Sequence, residues 1–213
     1  MSIEPTTLHR RLLDDGASPR LAWSSSDGEA LELSGRVLAN WTAKIANLLV
    51  EEADAEPGTR VLLDLPVHWR SLVWALGTWV AGATVVTDVG ESDGDAGVPD
   101  HVDVAVTTRP RAWVGRADLV VAVTLPSFAL RWTGEPLGEA LDGSADVAAQ
   151  PDALGPVAPG ELDAVALRSG GIEVTFAALA AGDGDAVDDA TLGGALLAVA
   201  RALGDGGVVP LRG

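Results

Sequence analysis

Residues 60–87 constrain the fold more than any other part of this sequence. Residues 60–65 are mostly apolar and interrupted only by Asp64, and Pro66 ends the run. Residues 69–80 then follow a helical pattern that is apolar nearly all round, and Gly82 separates them from a second apolar run at 84–87. Apolar strands of this kind are typical of parallel sheets that are covered on both faces. The stretch therefore predicts two parallel strands joined by a buried helix.

The rest of the chain continues this alternation of strands and helices. Helices are predicted at 6–15, 35–52, 174–180 and 192–203, the second with Ser34 as its N-cap, and strands at 21–23, 30–33, 102–106, 119–123, 164–167 and 207–211. The alternation predicts an α/β fold with a mainly parallel sheet and helices on both faces. We expect one domain over residues 1–213, with a sub-boundary in the proline-rich connection 125–160.

Composition excludes several classes of function. The formal net charge of -17 opposes binding to nucleic acid and to anionic membranes. The chain has no cysteine, so disulfides and thiolate chemistry are excluded. Its first residues are charged rather than apolar, unlike a signal peptide. The apolar run at 72–87 is shorter than the roughly 20 residues a membrane span needs. These features predict a soluble, acidic, cytoplasmic protein.

Several short segments match a known pattern in their order. They are the helix end NLL at 47–49, EPGTRV at 56–61, LP at 65–66 and AGATVV at 81–86. In this order they resemble the N-terminal region of the acyl-CoA synthetase and nonribosomal-peptide adenylation superfamily. The resemblance covers about a quarter of the chain closely and about half of it loosely. It implies the N-terminal lobe of an adenylate-forming enzyme.

The resemblance also implies where catalysis would reside. Members of the family hold the ATP phosphates on a Ser/Thr/Gly-rich loop that ends in lysine, and they use a second, catalytic lysine further along. Here the corresponding position holds, in order, Arg168, Ser169, Gly170 and Gly171, without the threonine-rich run and without the lysine. The sole lysine, Lys44, lies in an early predicted helix. We therefore expect a truncated, degenerate and noncatalytic relative, with either a relic phosphate loop or a plain structural turn at 168–171.

A second candidate site follows Pro66, at the carboxyl end of a predicted strand, where open α/β sheets bind ligands. His68, Trp69 and Arg70 would line a crevice there, or His68 would simply start the helix. No metal site is expected. Two acidic clusters fail the spacing of a calcium loop and are interpreted as solvated loops: Asp93, Asp95, Asp100 and Asp103, and Asp183, Asp185, Asp188 and Asp189.

The function expected from these observations is that of a binding or accessory module with a residual nucleotide or acyl pocket. The alternatives are a minimal acyl-adenylate-forming enzyme completed by another chain, and a structural scaffold. We expect no resident cofactor, with ATP or AMP as the ligands to test. Because the helix at 69–80 has almost no polar face, we expect the segment after Gly134 to cover most of it, and a homodimer or a partner subunit to cover the remainder.

Overall fold

The computed structural model describes residues 5–87, 100–158, 161–181 and 191–213. Within these ranges the helices are α1 (Pro5–Asp15), α2 (Gly35–Ala53), α3 (Trp69–Val80), α4 (Ala145–Ala149), α5 (Phe176–Ala181) and α6 (Leu192–Gly204), with a short 3-10 helix at Pro110–Trp113. The strands are β1 (Pro19–Ser24), β2 (Ala30–Ser34), β3 (Arg60–Asp64), β4 (Thr84–Val86), β5 (Val102–Thr107), β6 (Ala117–Ala122), β7 (Leu141–Asp142), β8 (Val165–Ser169), β9 (Ile172–Thr175) and β10 (Val209–Arg212).

The strands form two sheets. The larger has seven strands in the order β7-β6-β5-β3-β4-β8-β9, and every pairing in it is parallel except that of β8 with β9. The smaller has the order β10-β1-β2, with β10 parallel and β2 antiparallel to β1. The predicted α/β fold with one mainly parallel sheet is confirmed.

Strand β3 lies where the order in which the chain adds strands to the sheet reverses, because β4 and β5 are added on opposite sides of it. Through α3 the chain crosses to β4 on one side of β3, pairing Val61 with Val85. It then continues in β5 on the other side, pairing Val61 with Val104. In open α/β sheets, ligand crevices form at the carboxyl ends of strands next to such a reversal. The topology therefore directs attention to the end of β3, at Asp64.

Helix α3 is buried at every residue by this chain alone. Its closest neighbour is α2, because Gly77 presents no side chain and lets Ile45 approach the backbone. Helix α2 begins at the predicted cap, where the Ser34 side chain accepts a hydrogen bond from the amide of Val37. Buried side chains of α6 join the same core. The apolar surface of α3 therefore needs no second chain to cover it.

A second, smaller cluster lies on the other side of β3 and β5. It gathers around Trp113 of the 3-10 helix and includes Leu62, Ala105, Val86 and Val102. Adjacent strand residues such as Val61 and Leu63 belong instead to the main core, as expected when both faces of a strand are buried.

One sequence prediction is wrong in detail. Residues 174 and 175, predicted to begin a helix, belong to β9, because the turn at Gly170 and Gly171 folds this β-branched segment back onto β8. The final predicted strand, at 207–211, is confirmed as β10, which pairs with β1 in the smaller sheet. The connection 125–160 contains the edge strand β7 and helix α4. Whether a domain sub-boundary falls there stays a prediction.

None of the helices in the described ranges combines the length and the apolar character needed to cross a bilayer.

Candidate functional site

Polar side chains follow the carboxyl edge of the parallel strands. Asp142 ends β7, Thr107 ends β5, Asp64 ends β3, Thr87 follows β4 and Ser169 ends β8. Parallel strands bring their carboxyl ends to one edge of the sheet, so residues far apart in sequence become neighbours there. This edge holds the first candidate site and a cluster that the sequence analysis missed.

The expected phosphate loop is a hairpin turn. Ser169 pairs with Ile172 across β8 and β9, so Gly170 and Gly171 alone connect the two strands. Their φ angles are 58° and 76°, and two consecutive positive values are typical of a type I′ hairpin, in which glycine is favoured. The chain reverses here in the fewest residues that a hairpin commonly uses.

The side chains around this turn bind other parts of the protein. Arg168 forms an ion pair with Glu173 on the facing strand, at 3.1 Å. Ser169 is buried, and its hydroxyl accepts a hydrogen bond from the Thr87 hydroxyl at 2.9 Å. Helix α6 begins directly against it, since a Cβ on Gly193 would overlap the Ser169 oxygen. The start of α6 therefore fills the space beside the hairpin. Whether Arg168 to Gly171 bind a ligand stays a prediction.

His68 lies at the start of α3 and is buried. Its Nδ1 accepts a hydrogen bond from the amide of Arg70 at 3.1 Å, and its ring meets that of Trp23 edge-on at 4.4 Å. Burial, and secondarily the Arg70 charge, lower the pKa of His68 to about 4, with the opposing effect of Glu29 too small to restore it. His68 is therefore neutral at physiological pH and acts as an acceptor that caps the helix.

Arg70 is 3% exposed and lies inside the protein. Its guanidinium packs on the Trp69 ring at 4.5 Å, and one nitrogen donates to the backbone carbonyls of Pro126, Ser127 and Ala129 at 3.1–3.4 Å. Burial lowers the pKa of Arg70 to about 10, so the group stays charged near neutral pH. Trp69 donates through Nε1 to the Ser127 hydroxyl at 3.1 Å. The structure thus brings the three predicted crevice residues together, and Trp69 and Arg70 hold residues 126–129. Whether the three residues bind a ligand stays a prediction.

Sequence reasoning missed a buried cluster around Asp64. This carboxylate is 8% exposed and accepts hydrogen bonds from the Thr107 hydroxyl at 2.7 Å, Trp113 Nε1 at 3.0 Å and Arg109 at 2.7 Å. Burial by itself would raise the pKa of Asp64, but the bonds from Arg109, Trp113 and Thr107 outweigh it and lower the pKa. In the sequence, the one indication of this cluster is a single acidic residue within an apolar strand.

Lys44 makes its polar contacts with residues 148–152 rather than with the hairpin. Its ammonium donates to the carbonyl of Ala148 at 3.0 Å and to that of Gln150, and pairs with Asp152 at 3.0 Å. Lys44 thereby ties the connection after α4 to helix α2. The sole lysine of this chain makes structural contacts.

The described residues contain no cluster of three or more side chains suited to a metal. Asp103, from the first acidic cluster, instead binds Arg60 through both the backbone amide and the guanidinium. Of the other acidic positions, Asp93, Asp95 and the whole second cluster (Asp183, Asp185, Asp188, Asp189) lie outside the described residues.

Comparison with known proteins identifies the fold. The acyl-CoA synthetase of Brucella canis superimposes with a TM-score of 0.73 at 20% identity, covering 96% of this chain and 42% of that one. The chain has the fold of the N-terminal lobe of acyl-CoA synthetases. The acetoacetyl-CoA synthetase of Streptomyces lividans gives a TM-score of 0.74 at 17% identity, covering 98% of this chain and 38% of that one.

A sequence relative comes from Mycobacterium tuberculosis. It is described as a TIGR03089 family protein and is 36% identical over 140 residues, which are 63% of this chain and 57% of the relative. No protein-family model matches the sequence. The chain thus spans somewhat more than half of its curated relative and less than half of the synthetases that share its fold.

Proposed function

We propose that this chain is a noncatalytic binding or accessory module built on the N-terminal lobe fold of adenylate-forming enzymes. The observation that carries the proposal is the β8–β9 hairpin, in which Gly170 and Gly171 alone occupy the place expected for a phosphate loop. A two-residue turn has too few backbone amides to surround a triphosphate in the way that a long glycine-rich loop does.

Two cations of the chain, Arg168 and Lys44, support the same conclusion. In acyl-adenylate formation a carboxylate attacks the α-phosphate of ATP and pyrophosphate leaves. Positive groups accelerate such a step by stabilising the charge that develops in the transition state. Arg168 is paired with Glu173, and Lys44 is held by the segment after α4. No other lysine is present in the sequence. These contacts favour a protein that binds over one that activates acids.

The proposed ligand is an adenine nucleotide or an acyl group, bound weakly near Arg168 and Ser169. Thermal shift with ATP, AMP, CoA and acyl-CoAs tests this, because a ligand at 100 times its Kd stabilises the native state by about 2.7 kcal/mol. The variant Arg168→Gln should lose the shift. Arg111→Gln is the matched control, since Arg111 forms a similar exposed ion pair with Glu135 away from the hairpin. Absence of any shift with all four ligands would favour the scaffold alternative.

The alternative of an acyl-adenylate-forming enzyme completed by another chain has its own test. It is favoured by coverage, since the chain corresponds to only 42% of the Brucella canis synthetase. We expect no acid-dependent exchange of pyrophosphate into ATP, either from the protein purified alone or from the protein copurified with any chain that binds it. An active acyl-CoA synthetase is the positive control. Exchange above background with any carboxylic acid would refute the noncatalytic proposal.

A further inference from the structure

An open groove lies between helix α1 and the segment that follows α4. Four positions of α1, spaced so that they share one face of the helix, line one side: Thr6, His9, Arg10 and Leu13. Three consecutive residues line the other side: Asp152, Ala153 and Leu154. The groove has a volume of about 590 Å³, within the range of pockets that bind small molecules.

The second wall of the groove is fixed by helix α2. The Asn47 amide donates to two backbone carbonyls within residues 151–153, at 3.0 and 3.2 Å, and its oxygen accepts the amide of Gly155 at 2.8 Å. One turn earlier on the same helix, Lys44 pairs with Asp152 at 3.0 Å. A wall that is already ordered loses little conformational entropy when a ligand binds.

The charges in the groove leave one cation uncompensated. The Asp152 carboxylate is paired with Lys44. The Arg10 side chain is exposed and forms no ion pair with the residues that the structure describes. The neighbouring carboxylate on α1, Asp14, lies outside the lining. The groove therefore presents a positive group beside apolar surface, in a chain whose formal charge is -17.

His9 adds a polar group whose hydrogen bond is unmade. It is 6% exposed, and its Nδ1 is buried without a hydrogen-bond partner in the described part of the chain. Such atoms are rare in folded proteins. Burial lowers the pKa of His9, so the ring is neutral at physiological pH and can donate through one nitrogen. Half a turn of the ring exchanges Nδ1 with Cδ2 and changes no volume.

We propose that this groove binds a small amphipathic monoanion, a molecule with an apolar body and a single carboxylate or sulfonate group. The head group pairs with Arg10 and accepts a hydrogen bond from the turned His9 ring. The apolar body lies on Leu13, Ala153 and Leu154. One cation in a largely apolar groove matches one negative charge, whereas a phosphate dianion would need more positive groups to offset its desolvation.

The groove is distinct from the site of the proposed function. None of its lining residues belongs to the hairpin at 168–171. The other charges of the chain repel an anion over long distances, but at 0.15 M salt this repulsion is screened beyond about 8 Å. Arg10, in direct contact with the head group, is screened much less. The binding experiment is therefore done at that salt concentration.

The first test is calorimetric titration of the full chain with four eight-carbon probes: octanoate, octane-1-sulfonate, octan-1-ol and octylammonium. We expect the two anions to bind with a Kd of about 1 mM or tighter. The neutral alcohol should bind about threefold to tenfold more weakly, because it keeps the apolar contact and loses the ion pair. The cation should bind more weakly still. Equal affinity for octanoate and octan-1-ol would overturn the proposal, as would no saturable binding of either anion.

Substitutions locate the head group and the apolar body. Arg10→Gln should weaken octanoate by about threefold to tenfold and leave octan-1-ol unchanged. Leu13→Asp should weaken octanoate by about tenfold or more, since it removes apolar contact and adds a like charge. Arg36→Gln and Val114→Asp are the matched controls, because both residues are exposed and lie outside the lining. Unchanged octanoate affinity in both groove variants would refute the site.

Histidine resonances give a readout at the groove itself. The chain has three histidines, and His9 alone of them lines the groove. We expect octanoate to shift the ring resonances of His9 and to leave those of His68 and His101 in place. The Arg168→Gln variant should show the same shift, which separates this site from the hairpin. Octanoate binding that leaves the His9 ring unperturbed would place the ligand elsewhere and overturn the proposal.

Discussion

Replacing Asp64 with Asn tests whether the cluster at the end of β3 holds this edge of the sheet. Thr107 and Trp113 both donate to one carboxylate oxygen, and Arg109 donates to the other. An Asn side chain can place its carbonyl oxygen toward Thr107 and Trp113, keeping both bonds in neutral form. Bonds to a charged group contribute about 1.5–3 kcal/mol and neutral ones about 1 kcal/mol. We therefore expect a loss of about 2 kcal/mol in the free energy of unfolding.

Two further variants define the origin of this loss. Asp64→Ala removes all three bonds and leaves the two buried donors, Thr107 and Trp113, without this acceptor, so it should cost about 4 kcal/mol. Arg109→Gln should cost less than about 1 kcal/mol, because the Arg109 side chain is 64% exposed and its ion pair is screened by solvent. Urea denaturation followed by tryptophan fluorescence measures all three. If Asp64→Asn lies within about 0.5 kcal/mol of the wild type, the reasoning is refuted.

The same carboxylate predicts a dependence on pH. The folded state lowers the pKa of Asp64, so its contribution to stability is fully present above the unfolded value of about 3.9. That contribution is lost as the pH falls through the folded pKa. Wild-type protein should lose stability more steeply below about pH 4 than Asp64→Asn does. Equal slopes for the two proteins in acid would contradict the assignment.

Two other substitutions test the packing. In Gly77→Ala, the new Cβ would overlap Ile45 Cγ2, and overpacking of about 1–3 kcal/mol should outweigh a gain in helix propensity of about 1 kcal/mol. Thermal unfolding should therefore occur a few degrees lower, and a stabilised variant would count against the close contact between α2 and α3. Arg70→Met should speed amide hydrogen exchange in residues 127–130 by at least about tenfold, because the carbonyls of this segment lose the donor that fixes it. Unchanged protection would show that Arg70 does not fix this segment.

The local pattern of the sequence determined most of the elements. Residues 60–87 predicted β3, α3 and β4, because the apolar pattern of a buried strand or helix can be recognised within a few residues. The glycine that ends the helix is an equally local signal. Ser34 predicted the start of α2 for a similarly local reason, since a cap bonds to amides two or three residues away. The resemblance carried by residues 30–88 predicted the fold, which the structural comparisons confirm.

The tertiary structure alone decided which elements became neighbours and what the polar residues contact. Strand β9 folds back on β8 and β7 extends the main sheet, although the local patterns there predicted the start of a helix and a connection. Strand β10 was predicted as a strand, but its pairing with β1 could be seen only in the structure. Asp64 acquired three donors from residues more than forty positions away. Arg70, predicted to line a crevice, donates hydrogen bonds to the segment that exposes Phe128. Long-range packing determines such partners, and the local periodicity of the sequence does not indicate which distant residues come into contact.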